Sequence, residues 1–183
     1  MPTQEDYEKR IRAMKWPQLR KLWKQIRARD TPDWDSGKAF EYVVLRMFEL
    51  DKAVVRWPYF VKMGEQSEIV EEIDGSVRVS GLYSLVESKD EKDHVTIAPI
   101  AKLRNQLLRR PSGTIGMVFS TSGFTPTTLL LTQYVSNPPI LLWTGREIEY
   151  ALNKRKIVDF CELKYRRFVD NGLSDFSIAE ADA

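Results

Sequence analysis

The stretch Glu72 to Lys89, EIDGSVRVSGLYSLVESK, limits what this chain can fold into more than any other segment. Ser80-Gly81 is a turn signal between two apolar runs, so the segment is expected to form a β-hairpin. Val77 and Val79 share one face of its first strand and Arg78 takes the other, while Leu82 to Val86 make the second strand. Side chains alternate across a strand, so Glu87 and Lys89 project from the face of Tyr83 and Leu85, spaced by ~7 Å. Asp74 then falls opposite the Glu87 region. Two carboxylates and an ammonium converge at one end of a pair of apolar strands. Such a cluster is costly to hold together without compensation, and a divalent cation is the usual compensation.

The rest of the chain narrows the setting. Its 183 residues suffice for one domain with a full core plus a helical appendage. Cys161 is the single cysteine, which excludes a disulfide framework and a thiolate metal site and fits a reducing compartment. No 18-residue apolar run is present, and the first residues lack the apolar stretch of a secretory signal. A cytoplasmic protein is expected. His94 is the only histidine, so serine-triad and multi-histidine zinc chemistry are excluded. The net charge of +2 points to no polyanion by itself, but residues 1–30 carry nine Lys/Arg against four acids. The last ten residues hold three acids and no base.

Taken in order, residues 4–29 read as helix, with Tyr7, Ile11, Leu19, Leu22, Trp23 and Ile26 at helical spacing and a division near Pro17. Their basic face reads first as solvated and second as an arm lying along a nucleic-acid backbone. Residues 1–34 are therefore expected to form a basic helical arm, 35–171 the main domain and 172–183 a disordered acidic tail. A helix over about 37–51 buries Phe40, Val43, Val44, Met47 and Phe48 and leaves Glu41 at the margin of its apolar stripe. Val54–Val61 reads as a strand, with Pro58 marking an edge or bulge. The hairpin follows, then a helix over about 98–110 with Lys102, Arg104, Arg109 and Arg110 outside its buried stripe. Those four bases are placed to hold a phosphate backbone beside the hairpin, or are ordinary surface charges. Thr114–Ser120 reads as a central strand, residues 126–135 as a helix, Ile140–Trp143 as a last buried strand and Arg146–Asp170 as one long helix ended by Gly172. The expected fold is α/β, a mixed central sheet flanked by helices in the order α-β-β-β-α-β, with extra helices at both ends.

Asp…Glu-x-Lys is a weak pattern alone, and a second copy, Glu162-Leu-Lys164, lies in the last helix where no sheet presents it. Context raises the first copy. The blocks Gly37-x-x-Phe40-Glu41, Glu72-Ile-Asp74-Gly75, Leu85-Val86-Glu87-Ser88-Lys89 and Gly116-Met-Val-Phe-Ser-Thr-Ser-Gly-Phe-Thr125 resemble the PD-(D/E)xK nuclease superfamily, in particular the Mrr-like restriction endonucleases. The resemblance covers about residues 37–150. Asp90 follows Lys89 where the Mrr-like pattern has an aromatic residue, and Glu87 stands where it often has Gln.

The resemblance implies a Mg²⁺- or Mn²⁺-dependent endonuclease acting on DNA, with a role in restriction or phage defence. It implies that Asp74, Glu87, Glu41 and the Ser88 carbonyl bind the metal and that Lys89 orients or activates the attacking water. A homodimer would serve a double-strand cut, and a larger defence assembly is a further expected partner. Two other readings stand beside this one. One is a catalytically silent DNA-binding module of the same fold; the other is a protein-interaction domain that docks through the basic helices and Trp16, Trp23 and Trp34.

Overall fold

The computed structural model describes residues 2–64, 68–134 and 137–181. The chain runs through α1 (Gln4–Arg12), α2 (Trp16–Ala28), α3 (Lys38–Leu50), β1 (Val54–Arg56), β2 (Tyr59–Met63), β3 (Glu68–Ile73), β4 (Gly75–Val79) and β5 (Leu82–Lys89). It continues through α4 (Ile97–Leu107), β6 (Ile115–Ser120), α5 (Pro126–Tyr134), β7 (Ile140–Thr144), α6 (Gly145–Lys154), α7 (Ile157–Asn171) and α8 (Ile178–Ala181). Five strands make a mixed sheet in the order β1-β4-β5-β6-β7. β1, β4 and β5 are antiparallel neighbours, while β5, β6 and β7 are parallel. The parallel pairs are joined by α4 and α5, as crossover connections require. β2 and β3 form a separate two-stranded antiparallel sheet inserted before β4.

Helices cover both faces of the five-stranded sheet. One core layer joins α1, α2, α3, α6 and α7 to Val77, Val86, Met117, Phe119 and Trp143. The other joins Ile100, Leu103 and Leu107 of α4 to Leu85, Val118 and Leu142. β6 is buried at every position, which explains its continuous apolar run. The hairpin turns at Ser80-Gly81, both with positive φ, and pairs Gly75 with Val86 and Val79 with Leu82.

Four sequence expectations change. The strand expected over Val54–Val61 is split, because Pro58 lacks the N–H needed to continue the ladder. β1 stays in the main sheet and β2 leaves it for β3. The single helix expected over Arg146–Asp170 breaks at Arg155, which adopts the left-handed conformation. There Asp51 Oδ2 accepts the Val158 N–H at 2.8 Å, satisfying a free donor of the new helix start. The N-terminal helices, expected as an arm separate from the domain over 35–171, share its core through Tyr7, Ile11, Leu19, Leu22, Trp23 and Ile26, the apolar stripe read from their spacing. The stretch after Gly172, expected to be disordered, packs as far as Ala179. The Leu142 N–H donates to the Ser174 carbonyl at 2.9 Å, and Ile178 is fully buried. The expected helix end at Val135 lies outside the described residues.

Gly75, the first residue of β4, fixes the approach of α3 to the hairpin. A Cβ there would meet both methyl carbons of Leu45 at 2.7 Å and the Arg56 carbonyl at 3.1 Å, with φ at +156°. Gly75→Ala is therefore expected to destabilise the protein by about 1–3 kcal/mol through overpacking. Urea unfolding measures this; a change under about 0.5 kcal/mol would mean that α3 gives way easily.

Candidate active site

The site forms at the carboxyl ends of the parallel strands, the edge where open α/β sheets present functional groups. Hairpin register sets its centre. Asp74 directly precedes β4, and since Gly75 pairs with Val86, Asp74 lies across from Glu87 at the end of β5. The Ser88 backbone N–H donates to Asp74 Oδ2 at 2.8 Å, which ties the two strand ends together. Glu87 is 1% exposed, and its carboxylate is held by Lys89 Nζ at 2.7 Å and by Lys102 Nζ at 3.0 Å. Glu41 lies on the first turn of α3 and receives Lys38 Nζ at 2.7 Å.

Charge and burial act on these groups together. Burial, then the nearby Glu87 and Glu41 carboxylates, push the Asp74 carboxyl up from 3.8 to about 7, against the Ser88 N–H and Lys89. Burial also raises Glu41, with Lys38 opposing and Glu72 reinforcing. For Lys89, burial alone favours the neutral amine. The hydrogen bond to Glu87 and the charges of Glu87, Asp74 and Glu91 outweigh it, so its ammonium is held more firmly than usual. Without a metal ion, Lys89 is thus held as a cation.

These shifts carry a pH signature. Asp74 has a folded value above its unfolded one, so folding favours its protonated form. Its contribution to metal-free stability is full below the unfolded value of 3.8 and is lost as pH rises through about 7. In chelator, wild-type protein is expected to lose stability between pH 5 and pH 8 (~3 pH steps around the Asp74 window) relative to Asp74→Asn. Parallel denaturation curves for the two proteins would show the Asp74 contribution to be absent.

The structure brings Glu41, Asp74, Glu87, Ser88 and Lys89 into one electrostatic neighbourhood. Among the described residues, no three carboxylate, imidazole or thiol groups stand close enough to form a ready-made metal cage. The donor set nevertheless suits a hard cation, because the half-buried Asp74 and the buried Glu87 are carboxylates that repel one another. Mg²⁺ is typically bound through one or two carboxylates together with substrate phosphates, without a full protein cage.

The four bases expected to touch nucleic acid are placed differently. Lys102 pairs with Glu87, and Arg109 and Arg110 both clamp Glu71 of β3. Arg104 is half-buried, and its Nε has no hydrogen-bond partner. Sequence reasoning missed Lys38 and Lys102 as neighbours of the acids. The i,i+3 spacing of Lys38 and Glu41 was a usable signal, whereas nothing local announces that α4 leans its lysine onto the end of β5. The second Glu-x-Lys is structural: Lys164 is fully buried against Glu147 at 2.6 Å, and Glu162 receives the Ser80 hydroxyl.

No protein-family model matches this chain, and neither does any curated protein. Similar solved structures include a protein of unknown function, AF1548, at 16% identity and a TM-score of 0.49, with 73% of this chain and 77% of that one covered. Two others are restriction endonucleases. The DNA modification-dependent enzyme AspBHI has 17% identity and a TM-score of 0.47 over 79% of this chain. MspJI, in complex with a 27-mer oligonucleotide, has 18% identity and a TM-score of 0.42 over 89% of this chain. The match spans 38% and 36% of those two enzymes.

Proposed function

We propose that this chain is a metal-dependent endonuclease that hydrolyses phosphodiester bonds in DNA, of the PD-(D/E)xK kind and with a role in restriction or phage defence. The observation that carries this reading is the pair of carboxylates, half-buried Asp74 and buried Glu87, tied across two strand ends beside a protonated Lys89. Glu87 and Asp74 would hold Mg²⁺ or Mn²⁺, with the Ser88 carbonyl and Glu41 completing the donor set. When bound, the ion supplies Lewis acidity to the phosphoryl oxygen and lowers the pKa of a water.

The chain's own groups have separable roles. The Ser88 N–H fixes the Asp74 carboxylate, so its second oxygen is available without rotamer search. Lys89, held cationic by Glu87, stabilises negative charge as it develops on the phosphoryl group. Lys89 also orients or activates the attacking water. Lys38 plays for Glu41 the part that Lys89 and Lys102 play for Glu87, keeping a buried acid compensated when no cation is present. A homodimer would bring two such sites to a duplex, and a larger defence assembly would supply target choice.

One observation favours a second reading, a silent DNA-binding module. Two lysines already satisfy Glu87, so a cation must displace at least one of them. Incubating supercoiled plasmid with the protein, with and without Mg²⁺ or Mn²⁺, separates the two. The nuclease reading expects nicked or linear product only with metal; intact plasmid under both conditions, together with retained DNA binding, supports the module.

A further inference from the structure

We propose that the groove between α2 and α6 is the surface that receives the DNA backbone. This deepens the nuclease reading and rests on it. The groove encloses about 490 Å³ and is lined by Arg20, Lys21 and Lys24 of α2 facing Glu149, Leu152 and Asn153 of α6. Lys21 and Lys24 are exposed and Arg20 is half-buried. None of the three has an ion-pair partner among the described residues.

That sets them apart from the bases nearer the site. Lys38, Lys89, Lys102, Arg109 and Arg110 are all spent on carboxylates. A phosphate must displace a paired acid from each of those, whereas at Arg20, Lys21 and Lys24 it meets Glu149 in the groove lining but no formed ion pair.

The position of α2 supplies the second part of the argument. Its last turn and C-cap reach the strand ends that carry the site. Arg27 donates to the Thr121 carbonyl, and Arg29 pairs with Asp90 at 2.7 Å. Asp90 directly follows Lys89, and the Thr121 N–H donates to the Lys89 carbonyl at 3.2 Å. From Lys21 to Arg29 the helix rises ~12 Å. A duplex carries one charge per ~1.7 Å of axis, so a ridge of that length faces several phosphates. The buried side of α2, through Leu19, Leu22, Trp23 and Ile26, anchors it to α3 and the core. The core therefore fixes the backbone of the ridge.

Fluorescence anisotropy on a labelled DNA duplex, in chelator so that nothing is cut, tests this. The comparison is wild type, the triple variant Arg20→Ala/Lys21→Ala/Lys24→Ala, and a control triple of exposed bases elsewhere, Lys9→Ala/Lys62→Ala/Arg166→Ala. The groove variant is expected to weaken binding by about tenfold or more, and to flatten the slope of log K against log salt by ~0.9 for each phosphate it no longer neutralises. The control should change neither. Equal binding by wild type and the groove variant, or equal weakening in both triples, overturns the proposal. So does wild-type protein that ignores DNA but binds polyglutamate, which would make the groove a site for an acidic polypeptide. The plasmid digest on the same preparations keeps the two claims apart. Metal-dependent cutting with no groove effect removes this inference alone, and groove-dependent binding with no cutting removes only the nuclease reading.

Discussion

Asp74→Asn is expected to lower metal-dependent DNA cleavage by about 10²–10³-fold while making the metal-free protein more stable. The two effects have opposite signs because one side chain serves two ends. In the folded chain Asp74 is a half-buried carboxyl whose charge is opposed by desolvation and by Glu87 and Glu41. Asparagine keeps an oxygen for the Ser88 N–H and removes the charge, so the fold gains. Binding and activating a divalent cation needs that same charge. Glu87→Gln differs instructively: it leaves Lys89 and Lys102 facing an uncharged amide, so it is expected to lose activity without gaining stability. Cleavage rates and urea midpoints for both variants check this. An Asp74→Asn protein that is less stable than wild type in chelator would mean that Asp74 is a structural anchor and the repulsion argument is wrong.

The largest effect on stability is expected far from the site, at Lys164. Its ammonium is fully buried and bonded to Glu147 Oε1 and to the Phe176 carbonyl. Burial, outweighing Glu147, lowers its pKa. Glu147 in turn receives the Thr144 N–H and hydroxyl at 2.9 Å each, closing the start of α6, and the Ile178 N–H at 3.3 Å. One ion pair thus joins α6, α7 and the C-terminal segment. Lys164→Ala would leave the Glu147 carboxylate buried without its counter-charge, and is expected to cost about 3–5 kcal/mol. Lys164→Met should cost less than alanine by keeping the packed volume, though it too strands Glu147. Chemical denaturation of both variants decides. A loss below about 1 kcal/mol for alanine would mean that water or a shifted α7 compensates Glu147.

Much of this was legible in the sequence where the information is local. The hairpin, its turn and the register that sets Asp74 opposite Glu87 follow from period-two alternation and Ser80-Gly81. The stripe of α3 and the all-apolar β6 follow from periodicity and burial on both faces. The illegible parts depend on contacts between distant residues. The break at Arg155 needs Asp51, over a hundred positions earlier, to cap α7. The order of the C-terminal stretch depends on Lys164 and Glu147 reaching into it. The charge on α4 and the turn after it reads as free until Glu71 and Glu87 are seen beneath Arg109, Arg110 and Lys102. For the site, the residue types and their convergence were readable, Lys89 included, but the reach of Lys102 from α4 onto Glu87 was not.

The most direct test of the central claim, that Asp74 and Glu87 make a hard-cation site, is the melting temperature of wild type and Asp74→Asn as Mg²⁺ or Mn²⁺ is titrated. A ligand that binds only the folded state adds RT ln(1 + [L]/Kd), ~2.7 kcal/mol at a hundred times Kd. Wild type is expected to rise steadily with metal and Asp74→Asn to stay flat. Identical responses in the two proteins, whether both rise or neither does, would contradict the account.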